Sequence, residues 1–135
     1  MDIYQELFDA AKSLIEARYP KGWGGAAALR LSSGKVLTSV SPDTKNDALA
    51  LCMETGACLE AHKLDQLVTH SLCIYRENEH SDFVILTPCG ICQERLLHWG
   101  KNVEVAISNS NNELKFKTLS ELMPHHWSQV NEHQL

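Results

Sequence analysis

Apolar and polar positions change rhythm several times along this chain, and each rhythm predicts an element. Ile3, Leu7, Ala10, Ala11, Leu14 and Ile15 recur at helical spacing, so residues 2–18 read as an amphipathic helix. Pro20, Gly22 and the Gly24-Gly25 pair end it. AAALRL (26–31) and VLTSV (36–40) flank the tight turn SSGK and predict a hairpin. A polar loop, SPDTKND, leads to a second helix from about residue 49 to residue 63, rich in Ala, Leu, Met and Glu. SLCIYR (71–76) is strand-like, and FVILT (83–87) is almost wholly apolar, which suits a strand buried on both faces. PCGICQERLLHW (88–99) turns into a helix with Pro88 near its start. VEVAIS (103–108) predicts a strand, NSNNE a turn, and TLSELM (118–123) a short helix before Pro124. The tail is polar apart from Trp127 and Val130.

Helices and strands alternating in this way imply the α/β class. The expected architecture is a three-layer α/β/α sandwich around one mixed sheet of about five strands. No repeat and no linker interrupts the pattern, and 135 residues can bury a core unaided, so residues 1–135 are expected to form a single domain. The pattern alone names no function.

Composition narrows the choice of partner. The net charge is −5 and the 12 Lys and Arg residues are scattered, which argues against a nucleic-acid surface and leaves small molecules open. No apolar run approaches a membrane span, and the start MDIYQELFDAAK lacks a basic segment followed by an apolar one. A cytoplasmic location is therefore expected. Five cysteines, an odd number, then point away from a disulfide framework and toward metal or chemistry.

Two segments concentrate that chemistry. In PCGIC, Cys89 and Cys92 lie three apart where a strand ends and a helix begins, so both can face one metal ion. The free N–H groups of a helix start stabilise thiolates. Taken alone, a C-x-x-C is a redox pair or half of a zinc site. In LCMETGACLE, Cys52 sits near the start of the second helix and adds a third thiolate. Three protein ligands leave the fourth position of zinc open, which marks catalytic rather than structural zinc. Glu54, two residues beyond Cys52, then has a use: a carboxylate beside a zinc-activated water moves its protons. Cys58 and Cys73 read as small buried apolar residues, with Cys58 one turn past Glu54.

A ligand-x-Glu segment followed by P-C-x-x-C is the zinc-deaminase arrangement. Cys52-Met53-Glu54 and Pro88-Cys89-Gly90-Ile91-Cys92 fill it completely. On these residues the sequence resembles the small cytidine deaminases, in the branch that places three cysteines on zinc. GGAAALRLSSGKV is similar to that family's first hairpin and TLSELMP to its C-terminal helix, so the likeness extends over roughly residues 5–127.

The resemblance implies hydrolytic deamination of a cytidine-like nucleoside, with one Zn2+ per subunit held by Cys52, Cys89 and Cys92. Zinc-bound hydroxide would attack the amino-bearing ring carbon while Glu54 shuttles protons. It implies a homotetramer in pyrimidine salvage, and no nucleic-acid or membrane partner. The Met53 N–H and the Thr87 carbonyl match positions that touch the base in relatives. Trp23 matches an aromatic near the ligand. Trp127 matches one that covers the base from a neighbouring subunit. An Asn-x-Glu element usually grips the ribose, and Ser41 and Asp43 stand in its place. A second departure is Thr55, where three-cysteine members often carry an arginine. Deamination of a blasticidin-type or N4-substituted aminopyrimidine nucleoside is therefore an alternative. A non-catalytic zinc-binding module is another, and so is a polynucleotide editor, against which the acidic balance speaks.

Overall fold

The computed structural model describes residues 2–134, with side chains through Val130. Helix α1 (Ile3–Arg18) starts where the Asp2 carboxylate accepts the Tyr4 N–H at 2.7 Å, an ordinary N-cap. It buries Leu7, Ala11 and Ile15, one stripe at helical spacing. Strands β1 (Gly24–Leu31) and β2 (Val36–Ser39) form the expected hairpin, turning at Gly34, whose φ of +93° favours glycine. Then come α2 (Thr55–Leu64), β3 (Val68–Arg76), β4 (Val84–Leu86) and α3 (Gly90–Leu97). The chain continues with β5 (Glu104–Ala106), β6 (Phe116–Thr118), α4 (Leu119–Leu122) and a 3-10 segment, Trp127–Gln134.

The sheet is mixed, and its main path runs β2-β1-β3-β5-β6. β1 pairs along the whole of β3, so β4 and β5 share the opposite edge. β4 lies antiparallel to Cys73–Tyr75, and β5 lies parallel to His70 and Ser71. The register of β1 against β3 slips between Arg30 and Leu31, leaving Thr69 as the extra residue of a bulge. That slip explains a break in alternation. Leu72 and Ile74 face α1, whereas Val68 faces the opposite layer.

Both faces of the sheet are covered. On one, α1 packs on Ala26, Ala28, Leu72, Ile74, Ile85 and Ala106. On the other, Ala57 and Ala61 of α2 and Leu96 and Leu97 of α3 pack on Ala27, Leu29, Leu31 and Val105. This is the three-layer α/β/α sandwich expected from sequence. The run of three alanines in β1 lets helices approach closely on both sides.

Three expectations need correction. The sheet has six strands rather than about five. Phe116–Thr118 is only three residues long and carries Lys117 at its centre, too short to register as a periodic run. β4 is half-buried at Val84 and Leu86 rather than buried on both faces, because it covers only part of one edge of β3. Helix α2 begins at Thr55, not near residue 49. Asn46 caps a separate 3-10 turn, Asp47–Leu49, by accepting the Ala48 N–H, and Ala50 then leaves in extended conformation. Cys52, Met53 and Glu54 thus occupy the turn that enters α2 rather than the helix itself.

Candidate active site

Two helix starts meet on one side of the sheet. At α2, the Thr55 N–H donates to the Cys52 carbonyl (3.1 Å) and the Cys58 N–H to that of Glu54 (3.0 Å), which fixes the turn. At α3, Cys89 is the N-cap with ψ of 168°, and its carbonyl accepts the Gln93 N–H at 2.9 Å. The Gln93 side chain donates to the Pro88 carbonyl at 2.8 Å and holds the entry to the helix. Cys89 therefore stands just outside α3 and Cys92 within its first turn. The Sγ atoms of Cys52, Cys89 and Cys92 lie within 4.8 Å of one another, and those of Cys52 and Cys89 within 3.1 Å.

A tetrahedral zinc with Zn–S bonds of about 2.3 Å needs sulfurs about 3.8 Å apart, so the three thiols fit one ion after sub-ångström adjustment. Their acidities support the same conclusion. Burial works against ionising Cys89, but the N–H groups of Cys92 and Ile91 and the Cys52 thiol outweigh it and lower its pKa. Cys52 is raised, first by its hydrogen bond with Cys89 and then by burial. Cys92 is raised by burial, with the nearby Glu54 carboxylate adding to it. Three crowded thiols, one lowered and two raised, lose all their protons far more easily when a cation shares the charge. The cluster suits one zinc ion.

Glu54 is 3% exposed and lies beside this set without belonging to it. Burial raises its pKa, an effect partly offset by its own backbone N–H and by the Cys92 and Cys73 thiols. Ser41, Cys52, Met53, Glu54, Thr87 and Cys89 line one cleft of about 190 Å³, with Cys73 and Leu86 completing the wall. Cys92 is buried beneath. The Ser39 hydroxyl donates to the Met53 carbonyl. Thr87 is fixed against Ser108 by two bonds, N–H to Oγ at 3.0 Å and Oγ1 from N–H at 2.8 Å.

Sequence reasoning did not place Cys73, Leu86, Ser39 or Ser108 here. Cys73 alternates on β3 away from the Leu72 and Ile74 face, a signal the sequence carries once the strand is known. Cys73 and Cys58 are indeed buried, and burial lifts the Cys58 thiol to about 11. The remaining candidates stand elsewhere. Trp23, 46% exposed, flanks Met53 across Gly25. Asp43 is not among the residues lining the cleft, and its carboxylate forms an exposed ion pair with Arg18 at the end of α1, at 2.8 Å. Trp127, 69% exposed, lies on the C-terminal segment away from its own chain's cleft. Thr55 is buried, and its hydroxyl has no partner among the described residues.

An open set of three thiolates, a buried acid beside it and a cleft above both define a zinc-dependent hydrolytic enzyme on a deaminase-type sandwich. Comparison with solved structures makes this specific. The chain is similar to the cytidine deaminase from Bacillus anthracis, with 53% identity over 98% of this chain and 95% of that one and a TM-score of 0.96. It shares its fold with the cytidine deaminases from Mycobacterium leprae (20% identity, 90% and 98% covered, TM-score 0.69) and Burkholderia pseudomallei (22%, 91% and 98%, 0.70). No family model and no curated protein matches the chain. The chain belongs to the cytidine deaminase family, in its three-cysteine branch.

Proposed function

We propose that this protein, as one domain over residues 1–135, hydrolyses the exocyclic amino group of cytidine or deoxycytidine to give the uridine counterpart and ammonia. The observation that carries the reading is Glu54: a carboxyl group almost wholly buried, lining the same cleft as Cys52 and Cys89 and free of the metal set. Cys52, Cys89 and Cys92 would hold zinc, which when bound supplies the Lewis acidity that makes a water acidic at neutral pH.

The chain's own residues do the rest. Glu54 takes one proton from the attacking water and passes it to the ring nitrogen beside the reacting carbon; it then takes the second proton from the newly added hydroxyl and delivers it to the amine, which leaves as ammonia while the carbonyl forms. Its raised pKa suits a group that must hold as well as release a proton. The Met53 N–H and the Thr87 carbonyl offer one donor and one acceptor to the base, and the bonds to Ser108 keep Thr87 in place. Ser41, which lines the cleft, would meet the sugar. Trp23 supplies an aromatic wall, and Trp127 covers the base of a neighbouring subunit in a homotetramer. The setting is cytoplasmic pyrimidine salvage. Among the described residues, no helix is long and apolar enough to cross a membrane.

The test is Glu54→Gln. Zinc should remain near one per chain while ammonia release from cytidine falls by roughly 100-fold or more. Full activity in that variant would refute the mechanism. Asp43 favours a second reading: paired with Arg18 and not lining the cleft, it leaves ribose recognition to Ser41, which suits blasticidin-type or N4-substituted aminopyrimidine nucleosides as well. A deamination panel separates the two, since failure on cytidine and deoxycytidine with turnover of a decorated substrate selects the second.

A further inference from the structure

The pair of helices that brings the three cysteines together at its N-terminal ends also converges at its C-terminal ends. His62 lies in the last turn of α2, and His98 is the C-cap of α3. Their imidazole centroids are 4.7 Å apart, with ring planes at 53°. Trp99 packs on both, 4.7 Å from His62 and edge-on to His98 at 5.2 Å. The two imidazoles open into a cleft of about 260 Å³ that Asp65 and Gln66 also line. Among the described residues, the side-chain hydrogen bonds and ion pairs of histidine involve His70, His80 and His126, so His62 and His98 keep both ring nitrogens free.

The spacing suits coordination. With a metal–nitrogen bond of about 2.1 Å, and the ring centre about 1.1 Å beyond the nitrogen, each centroid stands about 3.2 Å from a shared ion. A separation of 4.7 Å then corresponds to a ligand–metal–ligand angle of roughly 95°, close to square-planar or octahedral cis positions. The electrostatics agree. Two helix C-termini carry partial negative charge, and Asp65 lines the same cleft, against Lys63 and Arg95 in the two last turns.

We propose that His62 and His98 form a second site for a divalent transition-metal ion of the imidazole-preferring class, with water completing the shell. An ion there joins the far ends of α2 and α3, the helices whose near ends carry the cysteine cluster. The proposal is independent of the deaminase reading.

Nickel(II) tests it on the zinc-replete full chain, with zinc measured before and after so that exchange at the cysteines is seen. The expected result is one nickel per chain by equilibrium dialysis, at micromolar concentrations, with zinc retained. Nickel should quench tryptophan fluorescence in the native protein and not in Trp99→Phe. It should also raise the unfolding temperature, since it binds the folded state. His62→Ala and His98→Ala should each weaken uptake at least tenfold, and the double variant should abolish it with zinc content and unfolding temperature without nickel unchanged. Both side chains are exposed, so the variants should fold; His62→Gln and His98→Gln provide a second pair. No uptake beyond the zinc, or uptake unaltered in the double variants, overturns the proposal.

Discussion

Replacing Gly24 and Gly25 by alanine, one at a time, separates the requirements of the fold from those of the site, because adjacent strand residues face opposite layers. A Cβ on Gly24 would come within 2.8 Å of Ile15 Cγ2 and 3.0 Å of Tyr19 Cβ. Ile15 is fully buried and β-branched, and Tyr19 Cβ sits on the backbone, so relief requires moving the end of α1. Overpacking of this kind costs about 1–3 kcal/mol, reduced by the few tenths to 1 kcal/mol that alanine gains through a less flexible unfolded chain. A Cβ on Gly25 would instead meet Met53 Cε at 2.7 Å, Met53 Sδ at 2.8 Å and Trp23 Cη2 at 2.9 Å, all far ends of side chains. An unbranched methionine yields for about 1 kcal/mol, nearly cancelled by the same gain. In a domain this size each kcal/mol moves Tm by roughly 3–5 °C. Gly24→Ala should lower Tm by about 3–10 °C and leave kcat/KM unchanged well below the transition. Gly25→Ala should leave Tm within about 3 °C but displace Met53 beside Glu54, and displacements near 1 Å at a reacting centre reduce rates up to about 100-fold. Thermal unfolding followed by circular dichroism, zinc content and ammonia release measure the three quantities. If Gly24→Ala impairs turnover as much as Gly25→Ala at an unchanged Tm, the assignment of the two faces is wrong.

Cys92→Ser should reduce bound zinc below about a tenth of a mole per chain, because a hydroxyl is a poor substitute for a thiolate on zinc, whereas Cys58→Ala should keep zinc. Metal analysis decides, and retention in the first variant would remove Cys92 from the set. His126 bridges Ser128 (2.6 Å) and Glu94, so His126→Ala should free the Trp127 segment and raise amide exchange there. If Trp127 acts as proposed, kcat/KM falls in this variant and Trp127→Ala/His126→Ala is no slower than Trp127→Ala alone; additive losses count against it. His70 is lowered by burial, which outweighs the raising effect of Glu104; Arg30 also lowers it, while Tyr4 donates to Glu104 from α1. A folded-state pKa below the usual 6.5 means stability is fully present above that value and is lost as pH falls through it toward the folded pKa. Urea unfolding from pH 8 to 5 should show that slope in the native protein and a shallower one in His70→Gln.

Much of this was legible in the chain because strong local patterns agree with the tertiary arrangement. The Leu7–Ala11–Ile15 stripe, the hairpin around Gly34 and the C-x-x-C at a helix start each carry their own physical signal. What stayed hidden depends on partners remote in sequence. β6 forms only because β5 offers it an edge, and Cys73 joins the cleft only through its place in β3. Asp43 looked available for a ligand because Arg18, 25 residues earlier, leaves no mark in the local pattern.

The most consequential of these differences is where α2 starts. Had the helix run from residue 49 through residue 63, Cys52 and Glu54 would be separated by about 200° around its axis, on nearly opposite faces. A thiolate on the metal and a carboxylate reaching the same water could not both come from such a pair. The separate 3-10 turn at Asp47–Leu49, the extended Ala50 and the late helix start at Thr55 place both residues in a turn, where each lines the same cleft. High helix propensity over residues 49–54 hides this, since Ala, Leu, Met and Glu all favour the continuous helix. The spacing Cys-x-Glu is therefore informative because it is incompatible with one helical face. A ligand and a proton carrier two residues apart require the helix to begin after them.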